Sequence, residues 1–158
     1  MTPTPQTPLA IDDMLCFAAY SASLAFNRFY KPILDRMGLT YPQFLAMNLL
    51  WREDDQTVGR LGERLFLESN TVTPLIKRLE ASGLVTRARD AADERVVRVR
   101  LTEAGRALAA DAGCLAQAVA DHTDLTPETL ARLRDGLASL RDQLRLGAKA
   151  NEDGAQIS

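Results

Sequence analysis

Apolar residues recur along most of this chain at helical spacing, and one short run breaks that rhythm by alternating. From Asp12 or Asp13, either of which can cap a helix, an apolar and aromatic stretch runs to about Tyr30. Lys31-Pro32 predicts a kink or an end there, and Gly38 stops the short continuation. Thr40 then reads as the cap of a helix through "FLAMNLLW", apolar on most sides and so buried. Beyond the polar loop "REDDQT", Thr57 caps a short helix with Val58, Leu61 and Leu65 along one side. A tight turn at 67–69 leads to a second helix, in which Val72, Leu75, Ile76 and Leu79 keep the i, i+3, i+4, i+7 spacing. Pro74 fits within its first turn, and Gly83 closes it.

The alternating run is "RVVRVRLT". Val97, Val99 and Leu101 fall to one side and Arg98 and Arg100 to the other, which predicts a half-buried strand. With "LVTRAR", across "DAADE", it makes a hairpin. Thr102 caps a further helix, which carries Cys114, and Thr126 with Pro127 opens the last one. Leucines 130, 133, 137, 140 and 144 there form a coiled-coil-like seam that asks for a partner helix. The order is helices, helix-turn-helix, hairpin, long helices. The segments 1–10 and 147–158 read as disordered tails, leaving one domain over 11–146.

Composition narrows the classes. With 46% hydrophobic and 25% charged residues in 158, the chain reads as an ordinary globular domain. Its start has no basic, apolar leader, and no run reaches the roughly 18–20 apolar residues of a membrane helix. Two cysteines make no disulfide framework, so a reducing cytoplasm is the expected compartment. The single histidine, His122, has no partner at metal-ligand spacing and reads as a surface residue near a helix end. That argues against a metal site and against a Ser-His-Asp enzyme, and no cofactor motif is present. The net charge of −2 conceals a segregation: residues 60–106 carry ten Lys/Arg against seven Asp/Glu, and both flanks are acidic. A basic middle suits a polyanionic partner.

The paired short helices and the hairpin give that middle a geometry. A helix-turn-helix presents its second helix to the DNA major groove, N-terminal end first. Ser69, Asn70, Thr71 and Thr73 can hydrogen-bond base edges or phosphates there, and Lys77 and Arg78 can neutralise phosphates. The helices alone would equally suit a merely solvated face. The hairpin tip, 91–94, has Arg95 beside it and Asp93 close enough to hold the guanidinium. A projecting arginine suits a narrow, A·T-rich minor groove, although a generic basic hairpin would look similar.

The stretch "LGERLFLESNTVTPLIKRLEASGLVTRARDAADERVVRVRLTEAGRAL" resembles the winged helix-turn-helix of the MarR family of bacterial repressors. The D-x-R…L-T wing signature falls on Asp93, Arg95, Leu101 and Thr102, and the resemblance extends over about 12–145. It implies a mainly α fold with a small β-hairpin wing, the winged helix-turn-helix lying at about 55–102. It also implies a homodimer formed by the N- and C-terminal helices, about 12–37 and 103–146, which would cover the leucine seam. Such a dimer would bind a pseudo-palindromic double-stranded DNA operator, with half-sites roughly one helical turn apart, in a bacterial cytoplasm and at the nucleoid when bound.

"MLCFAAYSAS" together with "LTYPQFLAMNLLW" resembles the organic-hydroperoxide-sensing subgroup, OhrR. That resemblance implies a repressor whose sensing cysteine is Cys16, surrounded by Tyr20, Tyr30 and Tyr41, and which releases DNA when Cys16 is oxidised. It also makes Cys114 the candidate resolving thiol, though about two helical turns ahead of the subgroup's position, with a small-molecule thiol as the other resolver. The residues themselves add two points. The first turn of a helix suits a sulfur anion. Tyr30 lies fourteen residues beyond Cys16, about 21 Å along a helix, so only a partner chain's Tyr30 could reach it. Three other readings stand beside this one: a MarR-type regulator released by a small aromatic ligand in the dimer cleft, a thiol peroxidase using Cys16, and a protein-interaction module. Against the peroxidase stand the basic wing and the lack of an arginine beside Cys16 in sequence.

Overall fold

A computed structural model describes residues 9–155, so of the tails expected at 1–10 and 147–158, residues 1–8 and 156–158 lie outside the described residues. These residues form two compact units that divide between Leu115 and Ala116. Helix α1, Leu15–Met37, starts with Met14 at the N-cap and no side-chain cap. Asp12 and Asp13 do not cap it. They sit in a 3-10 turn, Ile11–Asp13, closed by its own backbone bonds from Asp13 to Ala10 and Met14 to Ile11. Nor does Pro32 end α1, which runs through it unbroken. Beyond the proline Leu34 and Met37 are buried, at about 1.5–3 kcal/mol for each large side chain, and this offsets a helix penalty of about 3 kcal/mol.

Gly38 terminates α1 in the left-handed region at φ 66°, where a Cβ would be strained. Thr40 then closes a reciprocal capping box with Gln43 and starts α2, Tyr41–Arg52. Phe44, Ala46, Met47 and Leu50 of α2 are buried at the centre of the core. Strand β1, Gln56–Thr57, occupies residues read from sequence as loop and cap. Thr57 still accepts the Arg60 N–H at 3.1 Å, opening α3, Val58–Leu65. The turn to α4, Ser69–Ala81, begins at Phe66, held left-handed at φ 58°, slightly earlier than predicted. Pro74 is the sixth residue of α4, beyond the first turn. It lies on the exposed face, where water can serve the Asn70 carbonyl it leaves unbonded.

The hairpin is β2, Val85–Arg89, and β3, Val97–Leu101, antiparallel with Arg87 opposite Val99. β1 adds to the far edge of β3, giving the sheet order β1-β3-β2. Val85 and Val99 close the core over Leu61, Ile76 and Leu79. The helix expected after Thr102 is two helices, α5, Glu103–Ala107, and α6, Ala109–Asp121. The indole N–H of Trp51 donates to the Gly105 carbonyl at 2.8 Å, the acceptor a continuous helix would offer to Ala109. The backbone there is also tight, since a Cβ on Gly105 would lie 2.0 Å from the Leu84 carbonyl oxygen. In the second unit α7, Pro127–Ala155, starts at the Thr126 cap as expected but continues beyond Leu146 through residues read as a tail.

Each unit leaves an apolar helix face uncovered. On α1, Leu15, Tyr20, Leu24 and Phe26 are exposed. On α7 the exposed leucines are Leu133, Leu137, Leu144 and Leu146, with Leu130 and Leu140 half-buried. The fold is therefore mainly α with a three-stranded antiparallel wing.

Candidate nucleic-acid interface and redox centre

Helix α4 is anchored by the burial of Val72, Leu75, Ile76 and Leu79, and this fixes what its opposite face presents. Ser69, Asn70, Thr71, Lys77 and Arg78 are exposed, and Thr73 is half-buried. With Glu68 at the N-cap and no side-chain cap bond, the first amides of α4 stay available to an anion. Lys77 and Arg78 form no ion pair among the described residues, whereas Arg60, Arg87, Arg98, Arg100 and Arg106 are all paired. Lys77 and Arg78 thus leave charge on α4 for an external polyanion, while Arg95 at the wing tip shares its own with Asp93.

At the tip Arg95 has a 90% exposed side chain, yet it is not loose. Asp93 grips the guanidinium side-on, with Nε to Oδ1 and Nη2 to Oδ2 both 3.0 Å, and also accepts the Arg95 backbone N–H at 3.1 Å. The guanidinium beside it holds the Asp93 carboxyl below the usual carboxylate range. Asp90 organises the loop by accepting the Ala92 and Asp93 N–H groups at 2.8 and 3.3 Å. Its other oxygen takes the Arg98 guanidinium, the main reason its own carboxyl is also held low. Between this tip and α4 lies a cleft of about 340 Å³, lined by Thr73 and Ile76 on one side and Arg87, Arg95 and Val97 on the other.

Sequence reasoning did not single out Asp54, Asp55 or Asp90, which hold the wing. Asp54 takes the Leu101 N–H at 2.9 Å and pairs with Arg106. Asp55, at φ 58°, pairs with Arg98 and Arg100, and the Arg98 guanidinium also donates to its carbonyl at 2.8 Å. The only signal was a doubled aspartate just before β1, and nothing local links it to arginines more than forty residues on.

Cys16 is the second residue of α1 and exposed, and Cys114, on α6, is also an exposed free thiol. Tyr20 is one turn beyond Cys16 and 62% exposed. Tyr30 and Tyr41 come together instead: the Gly38 stop and the Thr40 capping box return the chain so that their rings stack at 5.6 Å and 23°. Phe26 and Phe29 each lie 5.7 Å from Tyr30. Burial raises both phenols, Tyr30 also through Tyr41, so both remain hydrogen-bond donors at neutral pH. Within one chain Cys16 and Tyr30 lie fourteen residues apart along the continuous helix α1, about 21 Å, so the cysteine does not reach this pair. His122 is exposed just past the end of α6, with Nδ1 2.9 Å from the Ala118 carbonyl. Among the described residues no group of side chains has the makings of a metal site, and no helix is long and apolar enough to cross a membrane.

Residues 28–112 match the family model of the transcriptional regulators SarA/Rot. The chain is 48% identical over 145 residues to the HTH-type transcriptional regulator TtmR of Methylorubrum extorquens, covering 92% of this chain and 74% of that one. It is 39% identical over 136 residues to the organic hydroperoxide resistance transcriptional regulator of Bacillus subtilis, covering 86% and 92%. Among solved structures, reduced AbfR bound to DNA superposes with a TM-score of 0.73 at 33% identity, covering 85% of this chain and 92% of that one. Matches of this extent take in both the helix-turn-helix and the wing, and the chain belongs to the MarR/SarA family of winged-helix transcriptional regulators.

Proposed function

We propose that the chain is a homodimeric repressor that senses organic hydroperoxides through Cys16 and then releases its operator. The observation that carries this is an exposed Cys16 in the first turn of α1 together with a Tyr30–Tyr41 stack fourteen residues further along. In a dimer whose first helices run antiparallel, each Cys16 meets the second chain's Tyr30 and Tyr41. The uncovered faces of α1 and α7 support such a dimer, with 11–146 acting as one MarR-type domain. The resemblance of 39% of aligned positions to a hydroperoxide-resistance regulator supports the signal.

The chemistry follows from the groups present. The Cys16 sulfur attacks the distal peroxide oxygen, the O–O bond breaks, and the sulfur becomes a sulfenic acid while the alkoxide leaves as an alcohol. Neutral tyrosine hydroxyls donate to the departing oxygen. A second thiol then displaces water from the sulfenic acid to form a disulfide, and Cys114 or a small-molecule thiol fills that role. The protein turns over no substrate, and it works in the bacterial cytoplasm and at the nucleoid when bound. On DNA, Ser69, Asn70, Thr71 and Thr73 read or grip the major groove, Lys77 and Arg78 meet phosphates, and Arg95, held by Asp93, enters the minor groove.

Titrating the reduced protein on its operator with cumene hydroperoxide, followed by fluorescence anisotropy, tests the proposal. Parent protein leaves the DNA, while Cys16→Ser binds equally well and stays bound. Release of Cys16→Ser by peroxide refutes the redox mechanism and favours a regulator that answers a small aromatic ligand.

A further inference from the structure

The wing tip is connected to the body of the winged helix by one continuous run of charged contacts. Asp55, in the loop after α2, offers its carbonyl to Arg98 Nη1 at 2.8 Å and its carboxylate to the same nitrogen at 3.4 Å. Arg98 lies on the central strand β3, opposite Ala88 of β2 and Thr57 of β1. Its Nε edge is taken by Asp90. Asp90 in turn holds the Ala92 and Asp93 amides, and Asp93 holds Arg95. Both edges of Arg98 are therefore occupied by protein, and it serves as a strut rather than as a phosphate ligand. Asp55 also pairs with Arg100, whose Nε is 3.0 Å from Oδ1. Its backbone is left-handed at φ 58°, a conformation that Asp and Asn tolerate better than other side chains with a Cβ.

We propose that Asp55 is the positioning residue for the wing: without touching DNA, it fixes through Arg98 and Asp90 where Arg95 meets the operator. The inference rests on the reading above that Arg95 is a DNA contact. A guanidinium has a fixed plane, so Arg98, held at Nε by Asp90 and at Nη1 by Asp55, transmits orientation, and weakening the Asp55 end lets Arg98 swing and loosens the tip with it. An unplaced Arg95 costs operator affinity, since its ordering must then be supplied on binding.

The test uses the full reduced chain and measures Kd by anisotropy on the operator and on a scrambled duplex of equal length. Asp55→Asn suits the test because asparagine accepts the same backbone angle. Removing an acid near DNA would by itself tighten binding to every duplex. The positioning role predicts the opposite on the operator, a loss of about 10-fold, within the coupling range of linked residues. The scrambled duplex should bind unchanged or more tightly. In an Arg95→Ala background the Asp55→Asn loss should shrink to less than about two-fold, because the group being positioned is gone. Arg98→Lys keeps the charge but not the planar group that reaches both aspartates, and should reproduce the selective loss. Operator binding by Asp55→Asn at or above the parent level overturns the proposal, as does a loss that persists in full beside Arg95→Ala. Should Arg95→Ala alone bind the operator like the parent, the wing contact itself is wrong and the proposal goes with it, an outcome distinct from the other two.

Discussion

If each sensing site is shared between two chains, mixed dimers reveal it. α1 is continuous from Leu15 to Met37, so Cys16 and Tyr30 of one chain lie about 21 Å apart along it and cannot share a peroxide. Tyr30→Phe or Tyr41→Phe removes one hydroxyl and leaves the stacked rings, 5.6 Å apart, in place. A hydrogen bond to a charged group is worth about 1.5–3 kcal/mol, so each change should slow the peroxide response about 10- to 100-fold without affecting operator binding. The double change should cost less than the product of the two, because both hydroxyls serve one departing oxygen. Now combine a Cys16→Ser chain with a Tyr30→Phe/Tyr41→Phe chain, tagged differently and purified as the heterodimer. A shared site puts the intact cysteine against the intact tyrosines, and sulfenic acid forms at the parent rate at one site per dimer. Single-chain sites leave no intact pair, and the whole sample reacts slowly. Stopped-flow trapping of the sulfenic acid with dimedone reads the rate. A slow heterodimer, or tyrosine variants that react like the parent, refutes the shared pocket.

Four further outcomes follow from the geometry. Arg95→Ala should weaken operator binding about 5- to 100-fold, whereas Lys77→Ala should weaken all duplexes alike and lower the salt slope by about one. Gly105→Ala drives a Cβ to within 2.0 Å of the Leu84 carbonyl and should cost about 3 kcal/mol or more, read by urea unfolding. Leu137→Asp puts a charge on the exposed α7 seam and should abolish the dimer in light scattering, while a DNA-binding monomer would contradict the proposed assembly. Asp55, Asp90 and Asp93 are held below the usual carboxylate range, so the stability they lend is complete above about pH 4–5 and fades as pH falls through their lowered values. Amide protection at Ala92 and Arg95, measured relative to the intrinsic exchange rate at each pH, should fall on acidification ahead of that at buried Met47 and Leu79.

What the sequence displayed was whatever depends on neighbours. The capping residues Thr40, Thr57, Thr102 and Thr126, the apolar stripe of α4 and the alternation of β3 are each decided within a few residues, and each stands where the spacing put it. So does the Asp93–Arg95 grip, made across two positions. Two of the departures came from contacts beyond the local pattern. Pro32 reads as a break until the burial of Leu34 and Met37 is counted. Beta1 is two residues long and exists only because β3 offers it an edge.

The candidate site divides along the same line. Its outward residues on α4, Ser69, Asn70, Thr71, Lys77 and Arg78, could be named because helical periodicity tells which side chains face away from the core, and Arg95 because it stands beside the hairpin tip. The residues that hold them could not. Asp54 meets Arg106, Asp55 meets Arg98 and Arg100, and Trp51 meets Gly105, in every case across more than forty positions of chain. No periodicity relates such partners, since their meeting is set by the packing of α2 beneath the sheet. An aspartate in a polar loop looks the same whether it is solvated or, like Asp55, pairs with two arginines of the wing. The distinguishing mark is stereochemical: a residue with a Cβ held left-handed, as Asp55 is at φ 58°, persists only where surrounding contacts insist on it. Asp55 also pairs with Arg98 and Arg100 of the wing, so its charge, and not its backbone angle alone, is the quantity to perturb.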